Sequence, residues 1–195
     1  MSVNAIIAVR HGEAKGNSAE DPLTTQGFVQ AEEAAVFLHE RFGRAGETIQ
    51  IISSPYLRAT QTASAISRKL NRSFQKDARL IERVIGDKGG LSEEEVWGKL
   101  EEHFEQPELS FSGGESNLEV SVRVKDFLQD LEAGDHQGPI LLITHRITMT
   151  LLLQQFHAAI GFKECKEMTN PDVYLVDPAA SGVSVKHIWN TALPV

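Results

Sequence analysis

The chain has 195 residues, 41% hydrophobic and 24% charged, the composition of a folded domain with one substantial core. A formal net charge of −8 argues against a general nucleic-acid surface, and a single cysteine, Cys165, excludes an internal disulfide framework and suits a reducing cytoplasm. No apolar run approaches the roughly 18 residues of a membrane span, and the short apolar stretch behind residues 1–4 lacks the basic flank of a signal peptide.

The first strand is predicted over 5–9, followed at once by Arg10-His11-Gly12-Glu13. Gln30, Ala34, Phe37, Leu38 and Arg41 then recur at helical spacing, up to a stop at Gly43. A second strand is predicted over 48–53. Ser54-Pro55 reads as an N-cap and first-turn proline for a helix running through Ala63, Ile66 and Leu70. Ser92-Glu93-Glu94-Glu95 and Ser116-Asn117-Leu118-Glu119 have the spacing of capping boxes, each ahead of an apolar helical stripe. Strand 140–144 leads into a helix predicted over 146–160 and ending at Gly161. Strand 173–176 and a weaker one over 183–189 close the chain. Strands alternating with helices predict an α/β fold: three layers, α/β/α, around a mostly parallel sheet, as a single domain over 1–195. The 92–110 stretch breaks the alternation, and two readings stand: a helical lid, extending to about 115, or a helix covering the sheet.

Four constellations carry chemistry. His11 sits where a parallel strand ends, the place at which open α/β sheets bind ligands. An imidazole there is a nucleophile, Arg10 beside it is a bidentate clamp for phosphate oxygens, and Gly12 lets the chain turn. Arg58 falls in the first turn of a helix that begins directly after a strand. His145 and Arg146 end another apolar strand, so two imidazoles 134 positions apart are brought to one crevice. Glu82, ahead of the Gly86, Gly89 and Gly90 loop, is a candidate proton donor for a leaving group. An acidic protein repels anions at long range, so such a site needs a local cluster of cations. The other histidines (His39, His103, His136, His157 and His187) read as surface or core residues. Trp97 and Phe104 read as packing.

These blocks, in this order, resemble the histidine phosphatase superfamily, which includes the phosphoglycerate mutases. Arg10-His11-Gly12-Glu13 is similar to its nucleophile motif. Leu23-Thr24-Thr25-Gln26-Gly27 with Gln30-Ala31 looks like its next block, residues 53–63 its arginine block, and Gly113-Gly114-Glu115-Ser116 its motif before the penultimate helix. The resemblance implies a phosphoglycerate mutase-like fold and a phosphohistidine on His11. It assigns phosphate contacts to Arg10, Arg58 and His145, with Asn17 and Thr24 as further substrate-binding residues and Glu82 as the proton donor; Arg146, which has no counterpart in the family pattern, is a further substrate-binding candidate or else a side chain that restricts the site. It implies neither a cofactor nor a metal, with guanidinium and imidazolium groups in the metal's place. The expected partner is a small phosphorylated substrate, with no nucleic acid and no membrane. Two departures stand out: Ala14 replaces a polar residue, and Arg146 replaces the usual glycine after the second histidine. Only 32 residues separate Glu82 from Glu115, a shorter segment than the family's mutases carry. That favours a phosphomonoester hydrolase over a mutase, while a phospho-ligand-binding protein without activity is the reading from another class.

Overall fold

The computed structural model describes residues 5–43, 48–179 and 182–189. A six-stranded sheet has the order β3-β2-β4-β1-β5-β6, with strands at Ile6–Arg10 (β1), Gln50–Ser53 (β2), Phe74–Lys76 (β3), Ile140–Thr144 (β4), Asp172–Ala179 (β5) and Gly182–His187 (β6). β3, β2, β4 and β1 pair in parallel, whereas β5 is antiparallel to both β1 and β6. The fold is a three-layer α/β/α sandwich with a mostly parallel sheet, as the strand–helix alternation predicts.

Both central strands are buried along their whole length, which is why they read as continuous apolar runs. The period-2 alternation of strand side chains divides the core into two. Ile7, Val9, Leu141 and Ile143 pack toward α1 (Thr25–Phe42) and α2 (Leu57–Leu70). Ile6, Ala8, Ile140 and Leu142 pack toward α3 (Glu93–Glu105), α4 (Asn117–Ala133) and α5 (Arg146–Gln154) on the other face. The register sets Arg10 opposite Thr144 and Ser53 opposite Ile143. The residues just past three adjacent parallel strands, His11, Ser54 and His145, therefore meet at one edge of the sheet.

Local signals were reliable where they were chemical. Both capping boxes form, Ser92 with Glu95 and Ser116 with Glu119. Other expectations change. The N-cap of α2 is Tyr56, and the Ser54 hydroxyl instead accepts the Tyr56 amide at 3.3 Å. The helix expected to reach 160 ends at Gln154, because residues 155 and 157–159 are exposed and offer no apolar face to the core. Gly161 then serves as the N-cap of a separate short helix, α6 (Phe162–Glu167), its amide donating to Glu164 at 2.9 Å. Neither α6 nor β3 was expected, since each is too short to show a period. The reading of residues 1–4 lies outside the described residues. Among those described, no helix is long and apolar enough to cross a membrane.

Candidate active site

A cleft of about 870 Å³ opens at the carboxyl ends of β1, β2 and β4, with Arg10, His11, Arg58 and Glu82 among its lining residues. His11 is 7% exposed. Its Nδ1 lies 2.6 Å from the Gly12 carbonyl, and its Nε2 accepts a hydrogen bond from Arg58 Nε at 3.1 Å. A carbonyl can only accept, so Nδ1 carries the proton and the Nε2 lone pair points away from the backbone. Burial, then the neighbouring Arg10 guanidinium, pushes the His11 pKa down to about 3, which keeps the ring neutral.

Gly12 and Gly27, the glycines of the first two motif blocks, serve space rather than turning. A Cβ on Gly12 would meet the Gly27 carbonyl oxygen at 2.4 Å, and one on Gly27 would meet the Glu13 carbonyl oxygen at 1.9 Å. The loop after β1 thus lies against the first turn of α1. Polar struts hold it there: the Glu13 amide donates to Gln30 at 2.7 Å, the Leu23 amide to Gln61 at 2.8 Å, and the Gly12 amide to Thr62 at 3.2 Å.

Arg58 is 2% exposed; its Nη1 donates to the Ser18 carbonyl at 2.6 Å, and its guanidinium lies over the Tyr56 ring at 5.0 Å. The first amide of α2, that of Leu57, is taken by the Ala19 carbonyl at 2.8 Å. That helix terminus therefore gives the cleft a side chain rather than this backbone donor. Arg10 Nη1 is fixed by the Met168 and Thr169 carbonyls at 2.8 and 2.9 Å. Burial and the nearby Arg146 charge lower its pKa to about 10, so it stays cationic at neutral pH.

The second histidine is fully buried, its ring 4.9 Å from that of His11 and edge-on to it. His145 Nε2 lies 2.7 Å from the Ser54 hydroxyl. That hydroxyl also accepts from the Tyr56 amide, and when it gives its own proton to Nε2 the imidazole carries its N–H on Nδ1. Burial and the neighbouring His11 hold the His145 pKa well below the ordinary value. Three buried nitrogens have no hydrogen-bond partner among the described residues: Arg10 Nε, His145 Nδ1 and Arg146 Nε. Buried polar groups are rarely left unpaired, and those of Arg10 and His145, on the residues next to and facing His11, suit acceptor oxygens of a ligand.

Glu82 follows a 3₁₀ turn, Ala78–Leu80, and its carboxylate lies at the N-terminus of α5. Oε1 accepts from the Arg83 and Thr148 amides at 3.0 and 3.1 Å, while Oε2 has one longer contact, to the Ile147 amide at 3.3 Å. Asn17 lines the cleft and is exposed. Thr24 does not line it; its hydroxyl caps α1, accepting the Gly27 amide at 2.9 Å. Arg146 lines the cleft, its guanidinium 5.2 Å above the Trp97 ring of α3. Among the described residues, no three His, Cys, Asp or Glu side chains gather as metal ligands would.

The sequence profile of the histidine phosphatase superfamily (branch 1) matches residues 6–191. The chain belongs to that superfamily. Phosphoserine phosphatase 1 of Hydrogenobacter thermophilus is 32% identical over 157 residues, covering 74% of this chain and 72% of that protein. A fructose-2,6-bisphosphatase TIGAR of Xenopus laevis is 36% identical over 146 residues, covering 67% of this chain but only 50% of that protein. The chain thus spans half the length of that relative. The mycobacterial glucosyl-3-phosphoglycerate phosphatase structure superimposes with a TM-score of 0.75 at 20% identity, over 98% of this chain and 100% of that one, a likeness of fold.

Several residues of this histidine phosphatase site escaped the sequence reading. Tyr56 stacks edge-on to His145 at 5.2 Å, and Asn170 donates to the His11 carbonyl at 2.8 Å. Arg83, 2% exposed, donates to the Glu115 carbonyl and Asn117 Oδ1 at 2.7 Å each and contacts His103 Nδ1 at 2.8 Å. It ties α3 and the start of α4 to the segment that carries Glu82. An arginine adjacent to a candidate acid was visible in the sequence, but nothing there marked it as buried.

Proposed function

We propose that the chain is a metal-independent phosphomonoester hydrolase acting on a small phosphorylated metabolite through a phosphohistidine on His11. The observation that carries this reading is a buried, neutral imidazole whose Nε2 lone pair meets the Arg58 guanidinium, beside unpartnered N–H groups of Arg10 and His145. The names of the relatives, phosphatases acting on fructose 2,6-bisphosphate and phosphoserine, support hydrolysis of this class.

In the first step the Nε2 lone pair forms the N–P bond in line as the P–O ester bond breaks and its electron pair leaves with the alkoxide. Arg58 turns its N–H groups from Nε2 to the equatorial oxygens, where Arg10 and His145 Nδ1–H add donors to the growing charge. Glu82, through the less engaged Oε2, protonates the alkoxide. In the second step Glu82 takes a proton from water, whose oxygen attacks phosphorus. The N–P pair returns to Nε2 and phosphate leaves. Guanidinium and imidazole donors supply the electrostatic stabilisation that a metal supplies elsewhere. Asn17 sits at the mouth as a further contact, Thr24 acts through the helix it caps, and residues 92–115 form a lid over the cleft.

Phosphate release from p-nitrophenyl phosphate and 3-phosphoglycerate, alongside conversion of 3- to 2-phosphoglycerate, tests this reading. Release that persists in EDTA, without mutase turnover, is expected. Efficient mutase turnover, or full loss in EDTA restored by magnesium, would overturn it.

A further inference from the structure

Two guanidinium groups of the cleft take no part in the phosphoryl chemistry, and of these Arg83 is engaged by Glu115, Asn117 and His103, whereas Arg146 is not so held. Its only hydrogen bond among the described residues is a long one, Nη2 to the Met168 carbonyl at 3.4 Å. Among the described residues Nε is buried without a partner, and no carboxylate lies within 4 Å to form an ion pair. Arg10 and Arg58, in contrast, are each tied to backbone carbonyls beside His11. Of the three guanidinium groups that act on the His11 imidazole, Arg146 contributes least. Its guanidinium carbon lies 5.2 Å from the Trp97 ring centroid, which sets the group against the α3 wall of the cleft.

A guanidinium stacked on an indole keeps its edge free, and that edge presents two parallel N–H donors. Such an edge matches a carboxylate or a phosphate and has no use for a hydroxyl. Around it the wall is apolar: Leu91, Val96 and Leu100 line the same cleft. Toward the mouth Lys88 and Glu93, both exposed, oppose each other in charge, so Arg146 is the inner cation of the wall. Its charge is also uncompensated against Arg10, and a second anion beside the ester would relieve that repulsion.

We infer that Arg146, held on Trp97, selects phosphomonoesters whose leaving group carries a second anionic group, a carboxylate or another phosphate, next to the ester. This rests on the hydrolase reading above.

Paired substrates that differ by one group test it. In the carboxylate arm, 3-phosphoglycerate is compared with glycerol 3-phosphate; in the phosphate arm, glycerol 2,3-bisphosphate is compared with glycerol 3-phosphate. The expected result is a kcat/KM preference of about 10- to 100-fold for the doubly anionic member of at least one pair, the worth of one charge-assisted pair. The arm that shows it identifies the anion. Arg146→Met, which keeps the stem over Trp97, should bring that ratio to within about threefold, with Arg146→Lys in between. A wild-type ratio near one in both arms would overturn the inference, as would an Arg146→Met variant that loses both members of a pair equally, the signature of a purely structural role. Failure of wild type to release phosphate even from p-nitrophenyl phosphate would instead sink the hydrolase reading, and the inference with it.

Discussion

The base of the cleft and its α3 wall are built to different standards. At the base, His11, Arg10, Arg58 and His145 are each 8% exposed or less, and each bonds to backbone carbonyls or to the buried Ser54 hydroxyl. On the wall, Trp97 is half-buried, Lys88 and Glu93 are exposed, and Arg146 is held chiefly by a ring contact. Chemistry on phosphorus demands positions fixed to a fraction of an ångström, which favours strand ends and locked rotamers. Recognition of a leaving group tolerates more movement. The contrast teaches where to look for each property: rate at the sheet edge, preference on the helix that covers it.

The largest test of that division is His11→Ala. Loss of the nucleophile should lower kcat by about 10⁴-fold or more, and rapid-quench labelling should trap acid-labile phosphate on wild type alone. Trapping in the variant would move the nucleophile elsewhere. Next is Glu82→Gln, expected to cost an alkyl monoester about 10²-fold in kcat. For p-nitrophenyl phosphate, whose leaving group needs no proton, the loss should be clearly smaller; equal losses would deny Glu82 the acid role. On the wall, Trp97→Ala removes the ring under Arg146 and its edge contact with Phe162 at 6.1 Å. It should raise KM about three- to tenfold, the scale of a partly buried cation–π contact, and leave kcat nearly unchanged. A kcat collapse would erase the distinction between base and wall.

A further effect is on stability. His11, His145 and His103 all have pKa values depressed mainly by burial, so between pH 6.5 and the folded values the unfolded chain binds protons that the native protein refuses. Stability is therefore complete above about pH 6.5 and declines as pH falls below it, by at most about 1.4 kcal/mol per pH unit for each group. Melting curves from pH 7.5 to 5.5, above the range in which most carboxylates titrate, should show the decline. A His11→Asn variant should flatten it, and a melting temperature that ignores pH over this range would contradict the burial argument.

How much of the site was legible depended on the kind of signal. His11, Arg10, Arg58 and His145 each end or follow an apolar run, and strand ends are recognisable from the run itself. The capping serines of α3 and α4 were equally plain, because a capping box is a four-residue event. Thr24, expected among the substrate contacts, caps α1 and lies outside the cleft lining; a capping threonine and a phosphate-binding threonine look alike in a sequence. Arg83 and Trp97 were opaque for another reason. Whether an arginine is buried, or an indole faces a cleft, depends on what α3 packs against.

Local chemistry along the chain thus determined the α/β alternation, the strand ends, the helix caps and the residue types that attack and clamp a phosphate, since each is decided within a few positions. Only the tertiary structure decided which of those residues share a cleft and with what protonation. It brought β1, β2 and β4 into adjacent register, buried two imidazoles until they were neutral, and turned Gly12 from a turning residue into a point of contact with Gly27. It also set the Arg146 guanidinium 5.2 Å from the centroid of the Trp97 ring, 49 positions away in the chain.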